Sequence, residues 1–193
     1  MPLAQLISTQ DLQQRLQQED LLLLDCRFAL EDPAYGRRSY LEGHLPGAHF
    51  LDLEQDLSAP VIKGVTGRHP LPDPSALVER LRSCGLRADS QVVLYDDGPG
   101  AFAARAWWLL RHAGLRDSML LDGGLEAWRA AGLPLQPGEV IPVPGTARPS
   151  WGRMPVVDTA GAEAMASGGL LLDARAAERY RGEVEHFDPV AGH

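Results

Sequence analysis

Three short apolar runs, each closed by an aspartate, constrain this chain most: Leu21-Leu22-Leu23-Leu24-Asp25, Val92-Val93-Leu94-Tyr95-Asp96 and Met119-Leu120-Leu121-Asp122. A run without polar alternation is how a strand reads when both its faces are buried. A polar residue at its end marks the carboxyl edge of a parallel sheet. Helical patterns lie between the runs. Ser8-Thr9-Gln10-Asp11 caps a helix with Leu12 and Leu16 on one face. Pro72-Asp73-Pro74 opens another that runs to Cys84 and stops at Gly85. After the loop Asp96-Asp97-Gly98-Pro99-Gly100, the Ala-rich segment from Ala101 to His112 reads as a third helix. Leu125 to Ala131 reads as a fourth, closed by Gly132. A polar stretch from Glu31 to Gly43 and a short apolar piece near Ala48–Leu51 carry no such pattern. Strands and helices alternating at this spacing predict an α/β fold, three layers deep, with helices flanking a mostly parallel central sheet.

Length sharpens the expectation. At roughly 150 residues per domain, 193 residues make about one and a third domains. From Leu133 to Pro155 the composition shifts, with prolines at 134, 137, 142, 144, 149 and 155. This reads as an extended linker. The predicted division is a first domain over 1–132, a linker over 133–155 and a second, incomplete copy over 156–193, in which Asp158 caps a short helix to Ser167.

That second segment repeats the first. Leu22-Leu23-Leu24-Asp25-Cys26-Arg27 recurs as Leu170-Leu171-Leu172-Asp173-Ala174-Arg175, with the aspartates 148 positions apart. Gly43-His44 recurs as Gly192-His193, 149 positions apart, so two matched blocks share nearly one offset.

Charge and chemistry narrow the function. The formal net charge of −8 argues against a nucleic-acid partner or an anionic membrane surface, since either needs a basic face. No apolar run is long enough to span a bilayer, and no secretory leader is visible, so a cytoplasmic location is expected. Cys26 and Cys84 have neither a disulfide framework nor metal-ligand spacing. Arg80, Arg82 and Arg87 near Cys84 would favour its thiolate, whereas burial would oppose it; a buried thiol is the plainer reading.

Taken together, the motifs resemble those of the two-domain rhodaneses, the thiosulfate and 3-mercaptopyruvate sulfurtransferases. The residues that carry the likeness are Leu24-Asp25-Cys26-Arg27, Gly43-His44-Leu45-Pro46-Gly47-Ala48, His69-Pro70-Leu71-Pro72, Val93-Leu94-Tyr95-Asp96, Ala104-Arg105-Ala106-Trp107-Trp108 and Leu121-Asp122-Gly123-Gly124-Leu125-Glu126-Ala127-Trp128. The resemblance implies a rhodanese-like fold in tandem, with the nucleophilic Cys in a strand–helix loop of the second domain. In the first domain that loop holds Asp96 and Asp97 and no Cys, so this domain is expected to be silent and the nucleophile to lie beyond His193.

The resemblance further implies sulfane-sulfur transfer from thiosulfate or 3-mercaptopyruvate to cyanide or a thiol through a Cys persulfide, with no metal or organic cofactor. Arg175 would bind the anionic donor, and Glu54 and His69 would support the site. Glu54 stands where relatives carry Asp. No second binding arginine is apparent in His186-Phe187-Asp188-Pro189, which tilts the expected donor toward thiosulfate. The remainder of the second domain is the expected intramolecular partner.

Plainer readings compete. Asp25 and Arg27 read as a structural ion pair, and His44 and His193 as loop-ordering residues. Trp107, Trp108 and Trp128 read as core or interface. A dinucleotide fingerprint is mimicked by Gly98-Pro99-Gly100-Ala101-Phe102-Ala103, with Asp122 22 residues past Gly100. Pro99 removes a needed N–H, and Asp96 and Asp97 would repel a pyrophosphate. The alternative outside enzymology is a non-catalytic docking or regulatory module of the same fold.

Overall fold

The computed structural model describes residues 5–188. Its first compact unit runs to Met154, and a second begins at Pro155.

The first unit is built on five strands: β1 (Gln5–Ile7), β2 (Leu21–Asp25), β3 (His49–Phe50), β4 (Gln91–Tyr95) and β5 (Ser118–Leu121). They lie side by side in the order β1-β5-β4-β2-β3, and every strand pair is parallel. Four helices connect them, α1 (Thr9–Arg15), α2 (Tyr35–Glu42), α3 (Pro74–Ser83) and α4 (Ala101–His112), and a fifth, α5 (Gly124–Ala130), follows β5.

The apolar runs form the centre of the sheet because each must fill two cores. On β2, Leu22 and Leu24 face one cluster and Leu23 the other; on β4, Val92 and Leu94 separate from Val93 and Tyr95 in the same way. α3 and α4 cover one face with Leu77, Leu81, Leu109 and Leu110. α1 and α5 cover the other with Leu12, Leu125 and Trp128. Trp128 is fully buried, and its indole N–H donates to the Pro134 carbonyl at 2.9 Å. The three-layer α/β architecture is therefore present, its sheet wholly parallel.

The expected linker is a packed strap. Prolines keep residues 133–154 out of any ladder, yet the N–H groups between them are bonded to the edges of the domain. Gln136 and His44 exchange both backbone bonds, at 2.9 and 3.0 Å. Gly138 donates to Leu41, Gly145 to Arg82, Ala147 to Leu86, Ser150 to Ala113 and Arg153 to His112. Ala147 is 2% exposed within the core, and a Cβ on Gly145 would overlap the Leu86 carbonyl oxygen. The first compact unit thus includes the segment expected as linker and runs to Met154. Proline spacing signals extended backbone but not whether a neighbouring surface satisfies it.

The second unit contains α6 (Thr159–Gly168), capped by Asp158, which accepts from the Gly161 N–H at 2.8 Å, and the short α7 (Ala177–Tyr180). Leu170–Leu172, which repeat the apolar run of β2, form no strand. These leucines are 53–78% exposed. A strand exists only against a neighbour, and among the described residues this unit offers none.

Candidate active-site region

Where strand order reverses in an open parallel sheet, the carboxyl ends of the diverging strands leave a crevice. Here the chain goes from β2 out to β3 and returns to β4 on the other side, so the switch lies between β2 and β4. Asp25, Cys26, Arg27 and Asp96 all stand at that edge.

The loop after β4 is an anion cradle with its anion built in. The fully buried Asp96 carboxylate accepts four backbone hydrogen bonds: Oδ1 from Gly98 and Gly100 at 3.0 and 3.1 Å, and Oδ2 from Phe102 and Ala103 at 3.1 and 3.0 Å. Gly100, at φ 87°, turns the chain into α4, whose first N–H groups complete the set. The Asp96 carbonyl in turn accepts from the Leu125 N–H at 2.9 Å. Gly124, at φ 55°, must lack a side chain, since a Cβ would overlap that same carbonyl oxygen. The donors a pyrophosphate would require are therefore occupied, which disposes of the dinucleotide reading. Asp97 accepts a short hydrogen bond from the Tyr35 hydroxyl, which raises that phenol's pKa, with burial adding to the effect. A hollow of about 360 Å³, lined by Asp96, Pro99, Gly100 and Asp122, opens beside the cradle.

Beneath the loop, Asp25 and Arg27 form the buried ion pair read from the sequence. Arg27 Nη2 lies 2.6 Å from Asp25 Oδ2 and 2.8 Å from the Gly43 carbonyl, and Nε donates to both carboxylate oxygens at 3.0 Å. The Tyr95 hydroxyl donates to Asp25 at 2.8 Å and accepts from the Leu45 N–H at 3.1 Å. Burial, then the Asp25 charge, pushes the Tyr95 phenol well above its usual pKa and keeps it a donor. His44 is buried against Tyr40, rings 4.2 Å apart, with its nitrogens 2.8 and 3.1 Å from the Leu45 and Gly138 carbonyls. This group is scaffold: it ties β2, β4 and the strap together.

Neither cysteine is poised for chemistry. Burial, followed by the charges of Asp25 and Asp96, drives the Cys26 thiol well above its ordinary pKa. Burial outweighs Arg80 at Cys84 and pushes that thiol to about 11. Both are therefore protonated at neutral pH, and a protonated thiol is neither nucleophile nor sulfur carrier.

Glu54 and His69 do come together. They line one hollow of about 390 Å³ with Ser58 and Arg68. Burial, reinforced by Arg105 and Arg68, lowers the His69 pKa, and the ring meets Phe28 edge-on at 6.2 Å. The loop carrying them is fastened by Arg105, whose guanidinium donates to the carbonyls of Leu57, His69 and Pro70 at 2.8–3.1 Å. In the sequence Arg105 stands out only as part of the motif Ala104-Arg105-Ala106-Trp107-Trp108. Its one signal is an arginine on an otherwise alanine-rich helix.

In the second unit, Asp173 and Arg175 reproduce the Asp25–Arg27 clamp: Nε lies 3.0 and 2.9 Å from the two carboxylate oxygens and Nη2 2.6 Å from one. The arginine holds the Asp173 pKa down to about 2. Segment 185–188, where no second arginine stands, is folded around Arg179, which binds Glu185 and Asp188 at 2.9 and 2.8 Å. His193 lies outside the described residues.

Comparison with known proteins agrees with this fold. The profile of the Rhodanese-like domain matches residues 8–131. The chain is 62% identical over 196 residues to a Pseudomonas aeruginosa protein named "Probable 3-mercaptopyruvate sulfurtransferase", covering all of this chain and 69% of that one. It is 47% identical over 175 residues to a Mycobacterium tuberculosis protein provisionally named a thiosulfate sulfurtransferase, covering 89% of this chain and 61% of that one. The 3-mercaptopyruvate sulfurtransferase structure from Leishmania major superposes with a TM-score of 0.84 at 26% identity, over all of this chain and 53% of that one. The chain thus spans about two thirds of these curated relatives. No helix among the described residues is long and apolar enough to cross a membrane.

Proposed function

The chain belongs to the rhodanese family, and from that premise we propose that it is the nucleophile-free part of a sulfurtransferase whose sulfur-carrying cysteine is supplied by a second domain. The observation that carries this reading is the occupied cradle. A loop whose N–H donors already hold the Asp96 carboxylate has no place for a persulfide anion, and Cys26 and Cys84 are protonated and buried. The greater length of the relatives is consistent with a nucleophile outside these residues.

The reaction is ping-pong. A Cys thiolate attacks the transferable sulfur of the donor and forms an S–S bond as the donor's bond to that sulfur breaks. A thiol or cyanide then removes the outer sulfur and restores the thiolate. Arg175 meets the donor's anionic group, its guanidinium plane fixed by Asp173. Glu54 and His69, on the loop fastened by Arg105, are the supporting residues that the first domain would contribute. The thiosulfate donor expected from the sequence gains no support. The name carried by the relative at 62% identity favours 3-mercaptopyruvate as donor.

The test compares the 193-residue chain with a chimera that continues into the C-terminal part of the Pseudomonas aeruginosa relative. The chain alone should release no pyruvate from 3-mercaptopyruvate and form no thiocyanate from thiosulfate and cyanide. The chimera should turn over 3-mercaptopyruvate with the higher kcat/KM, and Arg175→Ala should raise its KM. Turnover by the 193-residue chain refutes the silent-loop assignment; a chimera that prefers thiosulfate refutes the donor.

A further inference from the structure

At the amino-terminal edge of the sheet, away from the Asp96 loop, the strap crosses the turn between α4 and β5 and encloses a hollow of about 340 Å³. Three arginines line it: Arg116 from the turn, and Arg148 and Arg153 from the strap. In a chain of net charge −8 this grouping is unusual. Exposed arginines elsewhere on the unit face carboxylates, as Arg37 does Glu139, Arg38 does Asp32 and Arg129 does Glu126. Among the described residues no ion pair joins Arg116, Arg148 or Arg153 to a carboxylate; the side-chain partner of Arg153 is the Ser150 hydroxyl, at 3.0 Å. No acid lines the hollow: Asp89 pairs with Arg87, Glu139 with Arg37, and Asp158 caps α6.

The arginines sit on anchored backbone. Ser150 donates to the Ala113 carbonyl at 2.9 Å and Arg153 to that of His112 at 3.1 Å, while Trp151 packs against the core and lies 5.6 Å from the His112 ring. Three like charges held around one concavity repel each other, and a multiply charged anion relieves that repulsion while accepting paired hydrogen bonds from planar guanidinium groups. The size suits a small ligand, and Leu115 and Pro149 give it an apolar wall.

We propose that this hollow binds a phosphate group, either free or as the ester of a small metabolite. The site is separate from the sulfur-transfer cleft, so its test does not read sulfur transfer. Amide proton–nitrogen correlation spectra of the 193-residue chain are recorded during titration with inorganic phosphate, with glycerol 3-phosphate, and with sodium chloride at matched ionic strength. Saturable shifts are expected at residues 113–116 and 147–153 with both phosphates and not with chloride. Tighter binding of glycerol 3-phosphate identifies an esterified ligand; equal binding identifies the free group.

Arg116→Ala and Arg148→Ala should each raise the Kd about fivefold, the upper range for an exposed charge pair. Arg129→Ala, on α5 and already paired with Glu126, should leave it unchanged. The absence of saturable shifts beyond the chloride control overturns the proposal, as does a Kd unaffected by the Arg116→Ala/Arg148→Ala double variant. The spectra themselves report whether each variant is folded.

Discussion

Replacing Asp96 by alanine tests whether its carboxylate serves as the anion of its own loop. The substitution removes the acceptor of four N–H bonds, those of Gly98, Gly100, Phe102 and Ala103. Hydrogen bonds to a charged acceptor contribute about 1.5–3 kcal/mol each, but they share one acceptor and do not add. Two effects reduce the loss. The buried carboxylate no longer has to be desolvated, and the adjoining hollow of about 360 Å³ lets water reach the exposed donors. A net destabilisation of about 3 kcal/mol follows, which lowers the Tm by about 6–12 °C for a domain of this size.

The diagnostic arm is rescue. An emptied cradle at a helix N-terminus should bind sulfate, and 50 mM sulfate against a Kd of about 5 mM returns about 1.4 kcal/mol. Sulfate at the arginine-lined hollow stabilises both proteins equally, so the measured quantity is the extra gain of Asp96→Ala over the parent in urea unfolding at constant ionic strength. A loss below about 0.5 kcal/mol, or equal sulfate gains in the two proteins, would refute the assignment.

Two further perturbations probe the frame around the loop. Arg27→Met leaves the buried Asp25 carboxylate without its cation and should cost about 3–5 kcal/mol, whereas the Arg27→Met/Asp25→Leu pair should recover most of it; a double variant as unstable as the single one refutes this. Burial lowers the pKa values of His49 and His69, with Arg80 adding to the effect at His49 and Arg105 at His69. Below about pH 6.5 the unfolded chain therefore binds more protons than the native one, and stability falls as the pH drops from that value through the lower native pKa values. Urea midpoints near pH 7.5 and pH 5.5 should differ less in His49→Asn than in the parent, and an unchanged difference rules His49 out.

How much of this was legible in the sequence depended on whether a residue's partners were local. β2 and β4 announce themselves because both faces need apolar side chains, and α3 because Asp73 caps it, accepting from the Ala76 N–H at 2.9 Å. α2 was missed: Tyr-Gly-Arg-Arg-Ser-Tyr-Leu-Glu has no side-chain cap and buries only Gly36 and Tyr40. Three-residue β1 exists through its register with Met119–Leu121, which no local pattern encodes. At the site, the missing Cys in the loop was plain, and so was the Asp25–Arg27 pair. That Asp96 folds back onto the amides of its own loop was not, nor was the anchoring of the Glu54–His69 loop by Arg105. Both depend on where backbone carbonyls and amides converge after folding.

The packed strap bears on where the first unit can be cut. A segment bonded to the edges of α2, α3 and α4 is not spare length, and its removal leaves the carbonyl oxygens of Leu41, Arg82, Leu86, His112 and Ala113 without the strap N–H groups they now accept. A piece trimmed at the end of α5 exposes raw polar edges of a core that the belt otherwise closes, so the belt is part of what a separately produced first unit must keep.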